Sequence, residues 1–243
     1  MQQLNAKQKT FFDEEGYLVV ENLLTVEETA YYSNLYASFL DNRIDASRYR
    51  SDLSGGDNKE EKITQIMVPS KLVPDLVHKP LHQKTLAMAK ELMGNDIELD
   101  FDMLINKAPY TDTITPWHQD AAYWIDMPDK RAASCWVAID HAYKENGCMW
   151  YTPKSHLSPI LPHEQTGNKG ALKCEGSEEN SVYIELRPGS CVFHQGGTLH
   201  YSRGNSTSDN RRAFITNFRP KAMIQLEREK GVDHTGERQI RTK

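Results

Sequence analysis

The chain divides by its hydrophobic periodicity. Up to about residue 95, apolar positions recur every three to four residues; beyond that they alternate. "AKQKTFFDEE" (6–15) predicts a helix stopped by Gly16, and "YLVVENLL" (17–24) a strand. Thr25 with Glu28 three residues on is a capping-box pattern opening a second helix over "TAYYSNLYASFLDNR", whose apolar stripe includes Tyr32, Leu35 and Phe39. Residues 45–62 are polar and rich in Gly, Ser and Asp, and predict a mobile loop. "PLHQKTLAMAKELMG" (80–94) has Pro near its start and Gly just past its end, as a helix should.

The alternating segments are "IELDFDMLIN", "SCWVAID" (134–140), "SVYIEL" (181–186), "SCVFHQ" (190–195) and "RRAFITNF" (211–218). Turn residues fill the connectors, and short strands in such a series predict an antiparallel sandwich or barrel. The expected organisation is one domain over 1–243: a helical part at about 1–95, a β-core at about 96–220 and a loose, charged tail at about 221–243. Residues 154–180 form a polar insertion expected to border a binding site.

The composition narrows the function. The net charge is −5 with both signs mixed, so no nucleic-acid partner is expected. Cys135, Cys148, Cys174 and Cys191 form no C-x-x-C pair, which fits a reducing compartment. "MQQLNAKQKT" has no apolar signal region and no run reaches membrane-spanning length. A cytoplasmic protein without a membrane partner is expected.

Candidate chemistry sits in "TPWHQDAAYW" (115–124). On an extended segment His118 and Asp120 project from one face, and Pro116 favours extended geometry before it. Imidazole plus carboxylate suits a divalent metal, but a third ligand must come from elsewhere. "FHQGGTLHYSRGN" offers His194 and His200 near strand ends. Two histidines and one carboxylate leave open positions, the arrangement used by non-heme Fe(II). An oxygenase that also uses 2-oxoglutarate needs a cation for its distal carboxylate, and arginine binds one through a bidentate fork. Arg211 and Arg212 both follow His200 across a turn, with Ser202 on the His200 face. Adjacent strand residues face opposite sides, and periodicity does not choose between the two arginines.

These pieces resemble the phytanoyl-CoA dioxygenase family of Fe(II)/2-oxoglutarate oxygenases, from about residue 10 to residue 220. The resemblance is carried by "FFDEEGYLVVENLL", "DMLINKAP", "WHQD", "CWVAIDHAYKENGCMWYTPKSH" and "LHYSRGNSTSDNRRAF", in that order. It implies a double-stranded β-helix, a cupin-like jelly roll with helices outside. It implies His118, Asp120 and His200 as iron ligands, with Arg211 and Ser202 on the 2-oxoglutarate C5 carboxylate. Trp136 and Met103 are implied to line that pocket. Gln65 falls where some members carry a co-substrate lysine, so a contact there would be an amide hydrogen bond.

The implied reaction consumes O2 and decarboxylates 2-oxoglutarate to succinate while a small organic substrate is oxidised. Related halogenases have a small residue at the position of Asp120, so the carboxylate points to hydroxylation. Candidate substrate contacts are Tyr110, Tyr123, Trp124 and Trp150, and candidate lids are 45–62 and 110–115. The competing reading is a metal-binding jelly roll without oxygenase turnover, a cupin-type isomerase or a sensor. The sequence does not specify the substrate or the oligomeric state.

Overall fold

The structure, a computed structural model, describes residues 3–54, 61–166 and 171–235. Two antiparallel sheets face each other. The larger runs in the order Tyr17–Val20, Cys191–Gln195, Ala133–Ala138, Arg211–Pro220, Ile97–Lys107, Ile63–Met67 and Arg50–Asp52. The smaller runs Val182–Ile184, Met149–Tyr151, His200–Ser202 and Thr115–His118. This is the expected jelly roll.

Alternation along the strands explains how both faces of the large sheet are covered. Ile66, Leu104, Phe214, Val137 and Phe193 point outward with Leu18 and Val20 into one cluster. Helices Val26–Leu40 and Pro80–Met93 complete that cluster with Tyr32, Tyr36, Phe39, Leu81 and Met88. The residues between them, Met103, Ile105, Trp136, Ala138, Val192, Ala213 and Ile215, point inward against Met149 and Tyr151 of the small sheet. Phe214 is fully buried in the outer cluster, and its truncation to Ala should cost about 3–5 kcal/mol.

The helix signals hold in detail. Helix Ala6–Glu15 ends at Gly16, whose left-handed φ of 83° explains the glycine. The Thr25 box forms, with Glu28 N donating to Thr25 Oγ1 at 3.2 Å and Thr25 N to Glu28 Oε2 at 2.9 Å.

Three expectations change. The first strand is Tyr17–Val20; beyond it Asn22 takes a positive φ of 54° and the chain turns. The N-terminal part is not helical alone, because Tyr17–Val20, Arg50–Asp52 and Ile63–Met67 all join the large sheet. The C-terminal stretch is not a loose tail where it is described. Helix Lys221–Glu229 docks through Glu227, which is fully buried against Arg219. Of the expected loop 45–62, insertion 154–180 and tail 221–243, residues 55–60, 167–170 and 236–243 lie outside the described residues.

Candidate metal centre

The small sheet brings His118 and His200 together. They are direct register partners on neighbouring strands, with ring centroids 4.2 Å apart. Each donates its Nδ1–H to a carbonyl two residues back: His118 to Pro116 at 2.7 Å, His200 to Thr198 at 2.8 Å. That bond fixes the tautomer and leaves the Nε2 lone pair free to bind a metal. Both Nε2 atoms face Asp120 Oδ1, at 3.8 Å from His118 and 3.6 Å from His200. Asp120 is not on the strand. Thr115–His118 ends, and Asp120 opens a short 3-10 turn, so the carboxylate swings towards the rings by a turn rather than by strand alternation. The three ligand atoms lie within 4.8 Å of one another, as a single metal ion requires.

Burial opposes ionisation of Asp120. The His194 hydrogen bond and the fields of His200, His194 and His118 outweigh it and hold the carboxyl below its ordinary range. Burial is also the largest effect on His118 and His200 and lowers both, so they are neutral donors at neutral pH. An ionised carboxylate with two neutral imidazoles is the donor set a divalent iron takes.

A support layer surrounds this triad. His194 is not in the ligand trio. Its Nε2 lies 3.1 Å from Asp120 Oδ2, and its Nδ1 is 3.3 Å from the Tyr151 hydroxyl. Ser134, the register partner of His194, donates its hydroxyl to the same Asp120 oxygen. Oδ2 is thus occupied and Oδ1 is turned to the histidines. Gln119, between two of the triad, faces away: its Nε2 donates to Gly197 O at 2.7 Å, and its Oε1 accepts from Leu161 N at 2.9 Å. Its own N–H donates to His163 Nε2 at 3.1 Å. Tyr123 accepts from Leu172 N at 2.8 Å and sets its ring edge-on to His118. The insertion 154–180 is therefore bonded directly to the triad segment, as a region bordering a site should be. Two histidines outside this centre also have buried acid partners: His82 is 2.9 Å from Asp102 in the helix packing, and His234 is 2.8 Å from Glu227 at the C-terminal helix.

The inward face of the large sheet forms rows leading away from this centre. Ser134, His194 and Asn217 make the first. Met67, Met103, Ile215 and Trp136 make the second, then Gln65, Ile105, Ala213 and Ala138, and finally Ile63, Lys107 and Arg211. The register resolves the choice of arginine. Arg211 shares the inward face with Ala213 and Ile215 and is buried, with its Cζ 5.2 Å from the Trp136 ring. Its Nε and Nη1 have no hydrogen-bond partner. Burial brings Arg211 down to about 10, so it stays charged at neutral pH. Two unmatched donors of a buried cation call for an anion from outside the chain. Arg212 faces the other way and, contrary to a bare surface charge, is clamped by Asp140 and by Ser33 of helix Val26–Leu40.

Gln65 and Met103 meet inside this pocket, Nε2 to Sδ at 3.3 Å, and Ser202 is buried on the His200 strand. Three expected substrate contacts lie elsewhere. Trp150 pairs with Tyr201 on the far face of the small sheet, because its neighbour Tyr151 takes the inward position beside His200. Trp124 is buried with Met127 and Ala132 and carries Arg219 over its ring at 5.0 Å. Tyr110 is 72% exposed in a turn. Sequence reasoning missed Lys107 and the part played by His194. Lys107 falls one residue past the alternating segment "IELDFDMLIN", and nothing local separates His194 from His200.

A family model described as phytanoyl-CoA dioxygenase (PhyH) matches residues 12–213. The chain belongs to this family. It is 24% identical over 238 residues to a probable phytanoyl-CoA dioxygenase of Caenorhabditis elegans, covering 88% of this chain and 75% of the relative. It is 23% identical over 239 residues to the human peroxisomal phytanoyl-CoA dioxygenase, covering 88% and 68%. Among solved structures, EvdO2 from Micromonospora carbonacea var. aurantiaca superposes with a TM-score of 0.77 at 27% identity, over 89% of this chain and 91% of that one. The same protein complexed with 2-oxoglutarate gives 0.75 at 25%. The epimerase SnoN, in complex with Fe3+, alpha ketoglutarate and nogalamycin RO, shares the fold with a TM-score of 0.71 at 22% identity. This member of the family is an iron- and 2-oxoglutarate-dependent oxygenase. No helix among the described residues is long and apolar enough to cross a membrane.

Proposed function

We propose that His118, Asp120 and His200 hold the iron, and that Arg211, with Ser202 beside it, binds the distal carboxylate of 2-oxoglutarate. The observation that carries this reading is the pair of unmatched buried donors on Arg211, at the far end of the pocket from a ready His/Asp/His trio. Iron with 2-oxoglutarate supplies the oxidising chemistry, coupling O2 reduction and decarboxylation to succinate with oxidation of the substrate. The chain's own residues do the placing. Pro116 O and Thr198 O orient the imidazoles, and Ser134 and His194 hold the carboxylate. Trp136, Met103, Ile215 and Gln65 wall the space between the triad and Arg211 and exclude water from it.

The substrate is a small organic molecule, and hydroxylation is the outcome that Asp120 favours. Of the aromatic candidates Tyr123 stands beside the triad, and it is our choice for the substrate side of the pocket. The four free cysteines support a reducing, cytoplasmic setting. Arg211 has no use in a metal-binding jelly roll without 2-oxoglutarate, so the isomerase or sensor reading is set aside.

Anaerobic reconstitution with Fe(II) and 2-oxoglutarate tests the assignment. A weak visible charge-transfer band should form, and should vanish in His200→Ala. Retention of the band in His200→Ala would remove that residue from the ligand set.

A further inference from the structure

The last inward row of the large sheet ends in two cations. Lys107 and Arg211 are register partners on adjacent strands, and both are buried. Among the described residues neither forms a salt bridge. The Lys107 ammonium is nevertheless fixed. Its Nζ donates to Thr113 O at 2.8 Å, Arg203 O at 2.6 Å and Ser202 O at 3.4 Å. Those carbonyls lie on the segment entering the His118 strand and on the segment leaving the His200 strand. The stem passes close to Gly147, where an added Cβ would come within 3.1 Å of Lys107 Cδ. Asn205 adds a second tie, donating to Lys107 O at 3.1 Å and Asp209 O at 2.7 Å.

We propose that Lys107 is a positioning residue for the distal carboxylate of 2-oxoglutarate, a second fixed positive charge that also ties down the Ser202 backbone beside Arg211. The inference rests on the reading of Arg211 as the co-substrate anchor. Burial, and then the Arg211 charge beside it, lowers the Lys107 pKa well below its ordinary value, while the three carbonyl acceptors and an arriving anion favour the ammonium. The fold tolerates the cost of the charged form where an anion arrives to offset it. The three N–H bonds of Lys107 are already taken by carbonyls. It therefore acts through its field and through the segments it joins, and Arg211 alone presents free donors. Such a seat selects for a 2-oxo acid carrying a second carboxylate.

The test compares two ligands on Fe(II)-loaded protein without O2: 2-oxoglutarate, and 2-oxobutyrate, which chelates the same way but lacks the distal carboxylate. Lys107→Met should weaken 2-oxoglutarate by about tenfold or more and leave 2-oxobutyrate within about twofold. Lys107→Gln keeps amide donors for the carbonyls while removing the charge, and should show the same selective loss even if Lys107→Met does not fold. Equal weakening of both ligands in Lys107→Gln would mean a structural role, and no weakening would mean none; either overturns the proposal. If the unmodified protein binds neither ligand, the oxygenase site assignment itself fails, a result separable from the other two.

Discussion

Strand Arg211–Pro220 carries a buried arginine at each end, and the two have opposite surroundings. Each guanidinium lies over a tryptophan, Arg211 at 5.2 Å from Trp136 and Arg219 at 5.0 Å from Trp124. Arg219 is neutralised by the chain. Asp100 and Glu227 both accept from it, and His234 and Arg228 close the network. Asp100 reaches it because the register slips between Asn217 and Phe218, leaving Asp100 as the extra residue of its strand. Arg211 has no such acid. A buried cation with its own counter-ions holds a structure together; one without them awaits a ligand.

The contrast can be broken from either end. Arg219→Met should have the largest effect, about 3–5 kcal/mol lost in denaturant unfolding, because Asp100 and Glu227 would be left buried together. Its folded fraction should bind 2-oxoglutarate normally. Arg211→Met should do the reverse. Loss of two charge-assisted bonds, worth about 3 kcal/mol together, should lower 2-oxoglutarate affinity by at least about 100-fold in calorimetry. Thermal stability should not fall, since an unpaired buried charge is removed. A large drop in melting temperature would contradict the contrast.

Acid should separate the two ends without mutation. For Asp100 and Glu227 burial opposes ionisation, but His234 and the arginines outweigh it and hold both carboxyls below their ordinary range. Their contribution is therefore fully present above about pH 4, the carboxylate value in the unfolded chain, and is lost as pH falls through the lower folded values. Proteolysis of helix Lys221–Glu229 should rise over that acidic window, and less so in Glu227→Gln. Arg212→Ala is a milder case. Its partly exposed pair with Asp140 should cost about 1 kcal/mol and leave 2-oxoglutarate binding untouched. Smallest of all, Tyr110→Ala should change neither stability nor co-substrate affinity, as its side chain is largely in solvent.

The same strand shows which readings were legible beforehand. Alternation put Phe214 and Phe218 on one face and Ala213 and Ile215 on the other, which the two core clusters repeat. It could not say which face was the pocket, so Arg211 was separated from Arg212 by resemblance before the structure did so by geometry. Trp150 could not be placed beforehand for a related reason. Trp150 and Tyr151 are equally apolar neighbours, and pairing with His200 turns Tyr151 inward and Trp150 outward. The C-terminal stretch looked loose because the acid that ties it to the sheet is remote in sequence; Asp100 lies more than a hundred residues from Arg219 and Arg228.

By itself the sequence determined the helices and their caps, the alternating strands, the His-x-Asp pair and the family to which the chain belongs. These are local signals, set by side-chain period and backbone preference, or motifs that keep their order along the chain. Only the tertiary structure decided that Asp120 turns towards His118 and His200 while His194 braces it. It alone showed that Lys107 stands beside Arg211, and that one buried arginine is paired and the other is not. Those facts depend on strand register and on groups meeting across a hundred residues, and burial gives them their energetic weight only once the sheets close.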